Sequence, residues 1–328
     1  MPERFGIINM KNDKIYYSVG ALMYCPANNS KIVDKLVNNE FGDKFSLAFC
    51  LEDAIGDNHV RDAELVLIQS LQRLYTLQDD GFYMPKIFVR VRRPEQIVRL
   101  YKEFGAAAEL VCGFCVPKFD QSNSEEYIKA ISDVNDLSGD RIVYMMPILE
   151  SHEMIDLRTR YDFLYDMKEQ IDSIEAYVLN VRVGGNDLCN QFGLRRHGYE
   201  TIYGVQPVAS ILTDILTVFS QDYVVSGPVW EYYSGSNCDV GLYDEVLADL
   251  LAGFVGKTVI HPNQIGVFNR ACAVPKTDYD DAIAILGWDQ DASSMVAGSA
   301  KGERMNEAKV HRNWAEKIGY MAEYYGVI

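Results

Sequence analysis

Eight short apolar runs, separated by longer and more polar stretches, are the feature that most limits the fold of this 328-residue chain. Each run is too short and too rich in β-branched residues for a helix, and several are apolar at successive positions. Such runs are typical of strands buried on both faces, as in a parallel sheet covered by helices. The runs occupy residues 19–25, 46–51, 87–91, 113–118, 142–149, 177–183, 223–226 and 257–261.

The stretches between the runs carry apolar residues at helical spacing. Strand and helix therefore alternate eight times, which predicts an α/β fold, a closed (β/α)8 TIM barrel. An open doubly wound sheet is the structural alternative, but no G-x-G-x-x-G pattern follows the first run, so the usual reason to prefer it is missing. The clearest repeats are Ile32, Leu36 and Val37; Ala63, Leu67, Leu71 and Leu74; and Tyr243, Val246, Leu247, Leu250 and Leu251.

The sequence divides into a barrel in residues 1–270 and a C-terminal helical extension in residues 271–328. The extension carries helical patterns on either side of a Gly/Ser-rich break at residues 293–302. We interpret it as an appendix to the barrel, serving as a lid or as a contact between subunits.

Charge and cysteine usage exclude several classes of protein. The chain has 47 acidic and 31 basic residues, and its formal net charge of −16 would repel nucleic acid and anionic membranes. No apolar stretch approaches the roughly 20 residues of a membrane span. Cys112 and Cys115 have C-x-x-C spacing, but they lie inside a strand, where alternation would point the thiols to opposite faces, so we expect buried structural cysteines. These features predict a cytoplasmic protein without nucleic-acid or membrane partners.

Charged residues follow most of the predicted strands directly. In a TIM barrel the carboxyl ends of the strands form one mouth, and the chemistry of such barrels sits there. We therefore expect four carboxylates and several cations to converge at one end of the molecule. They are Glu52, Asp53, Arg90, Arg92, Lys118, Glu150 and Asp187.

Two of these carboxylates come from adjacent strands and suit a hard metal ion. Glu150 and Asp187 would supply oxygen ligands, and Mg²⁺ is commonly held by only one or two protein carboxylates. Glycines before Asp187 would let the backbone approach a ligand closely. Arg90 or Arg92 could clamp a substrate carboxylate through two hydrogen bonds. A metal beside such a clamp suits a 2-oxo acid, whose enolate the metal would stabilise while a carbon–carbon bond breaks.

An ordered set of motifs resembles the citrate lyase β-subunit and HpcH–HpaI aldolase superfamily. The Leu-Glu-Asp-Ala and Gly-Lys-x-x-Ile-His-Pro-x-Gln-Ile pieces are the most specific. A tail at residues 304–311 resembles the divergent branch named for C–C bond lyases of TIM-barrel fold, associated with tellurium-resistance and stress operons. The pieces lie at residues 20–27, 51–55, 89–91, 117–118, 147–151, 184–188 and 253–265.

The resemblance implies roles for individual residues. Glu150 and Asp187 would hold Mg²⁺, Arg90 would bind the substrate carboxylate, and Glu52 and Asp53 would sit beside the metal and its waters. Relatives acting on CoA thioesters often take a catalytic Asp from the C-terminal segment of a neighbouring subunit, and Glu307 is the nearest counterpart here. The resemblance also implies a homo-oligomer, commonly a trimer.

One departure concerns the third strand, which reads Arg-Val-Arg at residues 90–92 where citrate-lyase-like members usually read Arg-Val-Asn. An extra cation would suit a more anionic substrate, such as a phosphorylated one. Lys118, Gly185 and Asn186 complete the expected substrate-binding set. Lys118 could instead neutralise the acidic mouth.

Several residues keep a structural alternative. Arg90 could form ion pairs with Glu52 or Asp53, a role compatible with substrate binding. His261 resembles a general base by type, but a hydrogen-bonding role at a helix entry is the stronger interpretation. The aromatic patch at residues 230–233 could line the pocket or close the rim.

The sequence thus predicts a Mg²⁺-dependent carbon–carbon lyase acting on a small carboxylate, with Arg90, Glu52, Asp53 and Glu307 as catalytic candidates. The substrate could carry a phosphate or a CoA thioester. A non-catalytic barrel that serves as a binding or assembly subunit is the first alternative. A phosphosugar aldolase, favoured by Arg92 and the neighbouring Arg93, is the second.

Overall fold

The computed structural model describes residues 13–289 and 291–328, so the predicted domain start at residue 1 lies outside the described residues. Each strand of one parallel sheet pairs with the next along the chain, and the first pairs with the eighth. A parallel bridge joins Gly227 to Lys257 and closes the ring, which confirms the TIM barrel. The strands are β1 (Ala21–Pro26), β2 (Phe45–Cys50), β3 (Lys86–Arg90), β4 (Val111–Val116), β5 (Tyr144–Leu149), β6 (Val181–Val183), β7 (Val225–Ser226) and β8 (Lys257–Val259).

Helices cover the outside of this ring. Each predicted run overlaps one strand, and the predicted helical repeats before the second, third and eighth strands all lie on helices. The helices are α1 (Lys14–Tyr17), α2 (Ile32–Val37), α3 (Val60–Leu77), α4 (Pro94–Phe104), α5 (Ser124–Leu137), α6 (Arg160–Asp172), α7 (Gly185–Gln191), α8 (Gln206–Phe219), α9 (Cys238–Ala252), α10 (Asn263–Cys272), α11 (Lys276–Leu286) and α12 (Arg312–Tyr325).

The inside of the barrel is a separate apolar cluster built from inward-facing strand residues, among them Leu22, Phe88 and Ile148. Cys115 belongs to this cluster and Cys112 packs against it, so the prediction that the two thiols face opposite sides is wrong. The cause is a register shift between β3 and β4, which skips Cys112 in the pairing. Both thiols are free.

The face that α9 turns towards the barrel is partly ionic. Lys257 is fully buried, and its ammonium lies 2.8 Å from Glu245 and 2.7 Å from Asp249. Arg196 pairs with Glu245 at 3.0 Å, and the Tyr203 hydroxyl donates to Asp249 at 2.7 Å. Burial raises the pKa of Asp249 to about 6. This group of charges is compensated internally and fastens α9 to β8.

The apolar repeat predicted for α9 lies on this helix, but only part of it faces the barrel. Leu247 and Leu251 are exposed, by 43% and 91%, whereas Leu242 and Val246 are buried on the same side of the helix as the carboxylates that bind Lys257. The inner face of this helix therefore carries two buried carboxylates among its apolar residues, while two leucines of the repeat point outwards.

The C-terminal extension lies against the floor of the barrel, the end formed by the amino ends of the strands. Tyr320 of α12 stacks on Tyr17 of α1, just before β1, with ring centroids 5.1 Å apart. The Tyr325 hydroxyl donates to the Tyr17 carbonyl at 3.3 Å, and Lys14 pairs with Glu323 at 2.7 Å. Helix α12 therefore packs at the end opposite the mouth.

The predicted break in the extension contains an antiparallel hairpin of β9 (Val296–Gly298) and β10 (Met305–Glu307). Arg304 and Asn306 fasten the hairpin to α11, donating to Asp281 at 2.6 and 2.9 Å. The extension is thus two helices and a hairpin. In the described part of the chain, no helix is both long and apolar enough to span a membrane.

Candidate active site

Arg90 is the central cation of the mouth. It is the last residue of β3, it is 7% exposed, and its guanidinium lies 2.9 Å from Glu52, 3.3 Å from Asp53 and 3.6 Å from Glu150. Its carbon Cζ lies 5.4 Å from the centre of the Tyr24 ring, a cation–π contact from β1. The ion pairs predicted for Arg90 are therefore present, and the parallel register brings these strand ends together.

The two neighbouring carboxylates after β2 differ in how firmly they hold a proton. Burial raises the pKa of Glu52, with a contribution from the hydrogen bond to Asp53. For Asp53 burial acts in the same direction, but the hydrogen bond to Glu52 and the charges of Arg90 and Lys118 outweigh it and lower the pKa. A pair whose environments separate the two pKa values in this way suits one proton carrier and one permanent anion.

Lys118 joins two carboxylates of the mouth through an unusual backbone conformation. Its φ of +50° lies in the left-handed region, which a residue with a side chain rarely adopts. The backbone N–H donates to Glu150 Oε1 at 2.9 Å, while the ammonium lies 2.7 Å from Glu52. The structure therefore gives Lys118 the neutralising role that the sequence allowed.

Glu150 is buried directly below the loop that carries Asp187. Burial raises the pKa of Glu150 to about 8; the charge of Arg90 opposes this rise and that of Asp187 adds to it. Gly184 leaves the room that Glu150 needs, because a Cβ on Gly184 would lie 1.9 Å from Glu150 Oε2. Asp187 stands in the first turn of α7, which begins at Gly185. The charge of Asp187, after β6, therefore acts on Glu150, after β5, as expected for two carboxylates at neighbouring strand ends.

Gly185 and Asn186 lie beside this pair. A Cβ on Gly185 would lie 2.5 Å from the Pro228 side chain, so this glycine is required by packing between the sixth and seventh strand ends. Asn186 lines a neighbouring cavity of about 370 Å³.

Arg92 is engaged by the loop that follows β2. Its guanidinium donates to the carbonyls of Leu51 at 2.6 Å, of Glu52 at 3.0 Å and of Ile55, and it pairs with Asp57 at 2.5 Å. Strand β3 has ended before Arg92, so this side chain turns away from the barrel axis. Its observed contacts hold the loop that presents Glu52 to the mouth.

Glu307 is not among the residues gathered at the mouth of this chain. It is the last residue of β10, and its backbone N–H donates to His311 Nδ1 at 3.0 Å. The hairpin that carries it is attached to α11, which follows α10 at the floor. A catalytic role for Glu307 therefore requires the extension of another subunit.

The region after β7 and β8 is held by aromatic and amide contacts. Trp230 is fully buried and lies over the Arg196 guanidinium at 5.2 Å, while Tyr233 stacks on His261 at 4.9 Å. The Nδ1 atom of His261 accepts a hydrogen bond from the backbone N–H of Asn263 at 3.2 Å, at the entry to α10. These contacts agree with a hydrogen-bonding role for His261.

Two residues near the mouth were not singled out from the sequence, Tyr24 and Arg182. Tyr24 lies in an apolar run without a charged neighbour. Arg182 is a charged residue inside the sixth run, and this signal could have marked it.

An open cavity of about 550 Å³ lies next to the ion-pair cluster. It is large enough for a small ligand and borders the loop after β2 and the end of β4. Among its lining residues are Glu52, Asp53, Arg93, Lys118 and Tyr127.

The donor set fits Mg²⁺. Glu150 and Asp187 offer hard carboxylate oxygens, and the metal would relieve the mutual repulsion that contributes to the high pKa of Glu150. Within residues 13–289 and 291–328 there is no group of three or more His, Cys, Asp or Glu side chains arranged for a metal ion. A site that uses two carboxylates and completes its coordination with water or substrate is common for Mg²⁺.

Known structures share this architecture at low sequence identity. A citrate lyase from Burkholderia xenovorans is 13% identical, with a TM-score of 0.68 over 94% of this chain and 93% of that one. CitE from Mycobacterium tuberculosis, in complex with magnesium, acetoacetate and coenzyme A, is 15% identical, with a TM-score of 0.61 over 95% and 99%. RipC from Yersinia pestis is 15% identical, with a TM-score of 0.52 over 78% and 95%. These likenesses support the fold.

The family is shown by a comparison of sequences rather than of structures. No match was found among curated proteins. A family model described as "C-C_Bond_Lyase of the TIM-Barrel fold" matches residues 13–327, nearly the whole described chain. The match confirms the predicted branch of the superfamily and the prediction of an enzyme of the carbon–carbon lyase class. The chain belongs to the C–C bond lyase family of the TIM-barrel fold.

Proposed function

We propose that this protein cleaves or forms a carbon–carbon bond in a small 2-oxo acid with the help of Mg²⁺ held by Glu150 and Asp187. The observation that carries the proposal is the carboxylate Glu150, which lies 3.6 Å from the Arg90 guanidinium and whose pKa burial raises to about 8. When bound, Mg²⁺ supplies positive charge that stabilises the oxyanion of the substrate. A citrate lyase beta subunit from Mycobacterium tuberculosis forms a complex with oxaloacetate and magnesium, which supports a ligand of this kind.

The residues of the mouth have distinct parts in this proposal. Arg90 orients the substrate carboxylate, and because its charge is shared by Glu52 and Asp53, it is already in place before substrate binds. Glu52, whose pKa is raised by burial, carries the proton, and Asp53, whose pKa is lowered, stays charged. Lys118 holds both carboxylates in position, Glu52 through its ammonium and Glu150 through its backbone N–H.

The alternatives differ in what they require. The phosphosugar aldolase was favoured by Arg92, whose guanidinium is occupied by the loop after β2. The non-catalytic barrel requires ligand binding without proton transfer. CoA as part of the substrate and a homotrimer remain predictions, and Glu307 would contribute only in an oligomer.

Calorimetry with Mg²⁺ and oxaloacetate tests the metal site. Glu150→Gln should abolish Mg²⁺-dependent binding of oxaloacetate, whereas Glu175→Gln, an exposed acid in the turn before β6, should bind like wild type. Binding by Glu150→Gln as tight as that of wild type would exclude Glu150 as a metal ligand.

Proton exchange tests the catalytic step. In D₂O the protein with Mg²⁺ should exchange the methyl protons of pyruvate, as measured by NMR, and Glu52→Gln should slow this exchange by at least about 100-fold. Tight binding of pyruvate without any exchange would instead support the non-catalytic barrel.

A further inference from the structure

Arg182 is a buried cation without a carboxylate partner in the described part of the chain. It is 1% exposed, its Nη2 donates to the Thr258 hydroxyl at 2.8 Å, and its Nη1 has no hydrogen-bond partner there. A guanidinium stays charged in proteins, so Arg182 cannot lower the free-energy cost of its burial by losing a proton. The buried charge therefore needs compensation from elsewhere.

The other buried cations show what compensation looks like in this molecule. Each of them forms an ion pair with at least one carboxylate, at distances between 2.7 and 3.0 Å for the nearest pair. Among the buried cations of residues 13–289 and 291–328, Arg182 alone forms none. The four paired cations are Arg90, Arg160, Arg196 and Lys257.

Arg182 lies directly beneath the candidate metal site. It is paired with Ile148 of β5, two residues before Glu150, and it precedes by two residues Gly184, on which a Cβ would collide with Glu150. Residues two apart in a strand face the same side, so Arg182 points into the barrel below that carboxylate.

The charges of Arg182 and of Arg90, the central cation of the mouth, both act on Tyr24. Burial raises the pKa of the Tyr24 hydroxyl above its ordinary value, and the positive charges of Arg90 and Arg182 both oppose that rise. Both guanidinium groups therefore act electrostatically on one tyrosine, and Arg90 lies 5.4 Å from the centre of its ring. Arg90 already has carboxylate partners in the protein, whereas Arg182 has none in the described part of the chain.

We propose that Arg182 is a specificity-determining residue that binds a second anionic group of the substrate, a carboxylate or a phosphate, below the metal site. The inference rests on the proposed function, since it assumes that the first carboxylate binds at Arg90 and the metal. It predicts a preference for doubly charged 2-oxo acids over singly charged ones. A buried, hydrogen-bonded charge pair of this kind is strongly weakened when one partner is removed.

The experiment compares ligands on wild type and on Arg182→Met in the presence of Mg²⁺. The probes are oxaloacetate for a second carboxylate, phosphonopyruvate for a phosphonate and pyruvate for neither. Wild type should bind at least one of the first two at least about 30-fold more tightly than pyruvate, and Arg182→Met should lose that preference while its Kd for pyruvate stays within about threefold. Whichever doubly charged probe binds more tightly identifies the anionic group.

Thermal unfolding separates this role from a structural one. Because an unpaired buried charge destabilises the protein, Arg182→Met without ligand should have a Tm equal to or above that of wild type. An unchanged preference in Arg182→Met, or an equal loss of affinity for all three ligands, overturns the proposal. If the methionine variant does not fold, Arg182→Gln decides: it removes the charge but keeps an N–H donor for Thr258, and an unchanged preference again overturns the proposal.

Measurements of Tm without metal distinguish a failure of this inference from a failure of the proposed function. Malonate should raise the Tm of metal-free wild type and not that of Arg182→Met. If Mg²⁺ fails to strengthen pyruvate binding, the proposed function is wrong whatever malonate does. If Mg²⁺ strengthens pyruvate binding but malonate protects both proteins equally, only the role of Arg182 is wrong.

Discussion

The proton held by Glu150 should make Mg²⁺ binding depend on pH. Burial raises the pKa of Glu150 to about 8, against the opposing charge of Arg90, whereas a metal ligand must be ionised. Binding of the metal therefore expels a proton whenever the pH is below that value. About 3% of the carboxyl is ionised at pH 6.5 and about 75% at pH 8.5, so the association constant for Mg²⁺ should rise about 25-fold across this range.

Titration calorimetry in two buffers of different ionisation enthalpy measures both the affinity and the number of protons released. At pH 7 about 0.9 proton should be released for each Mg²⁺ bound. Glu150→Gln should bind Mg²⁺ weakly at every pH, while the exposed control Glu175→Gln should follow wild type. An association constant that changes by less than about twofold from pH 6.5 to 8.5, without proton release, would refute the assignment of the proton to Glu150.

Three further predictions concern packing, stability and assembly. Gly184→Ala should weaken Mg²⁺ binding at least about tenfold in calorimetry, because its methyl would lie 1.9 Å from Glu150 Oε2; unchanged affinity would mean that this carboxylate is not needed in place. Lys257→Met should lower the free energy of unfolding in urea by about 3–5 kcal/mol, since Asp249 stays buried without a cation and Glu245 keeps only Arg196; a loss below about 1 kcal/mol would contradict this. Leu251, 91% exposed on α9, should contribute to self-association, so light scattering should find a trimer for wild type and a smaller species for Leu251→Glu; an unchanged mass would exclude that face.

The barrel could be predicted from the sequence because its strands are buried on both sides and recur eight times. Their short, continuous apolar runs and the helical spacing between them are local signals, and a TIM barrel arises from repetition of one local unit. The placement of Glu52, Arg90, Lys118 and Glu150 followed from the same logic, since each ends a strand or lies within two residues of its end.

The contacts of single side chains could not be predicted in this way. Arg92 binds backbone carbonyls, which every residue offers, so no pattern marks its partners. The inner face of α9 carries Glu245 and Asp249, whose cation comes from β8, so a hydrophobic repeat alone does not show which side of this helix is buried. The hairpin of the extension has strands of three residues, too short for alternation to be recognised.

The packing of α12 beneath the barrel has a consequence for how this protein can change. Its aromatic contacts lie at the floor, whereas the left-handed Lys118 and the unpaired Arg182 lie towards the mouth. Energetic effects at distant sites usually add. The stability contributed by contacts at the floor can therefore offset the cost of the left-handed backbone and the buried charge near the mouth. Destabilising substitutions at the mouth should be tolerated while Tyr320 remains stacked on Tyr17. A protein destabilised at that contact should tolerate fewer of the substitutions that change its substrate.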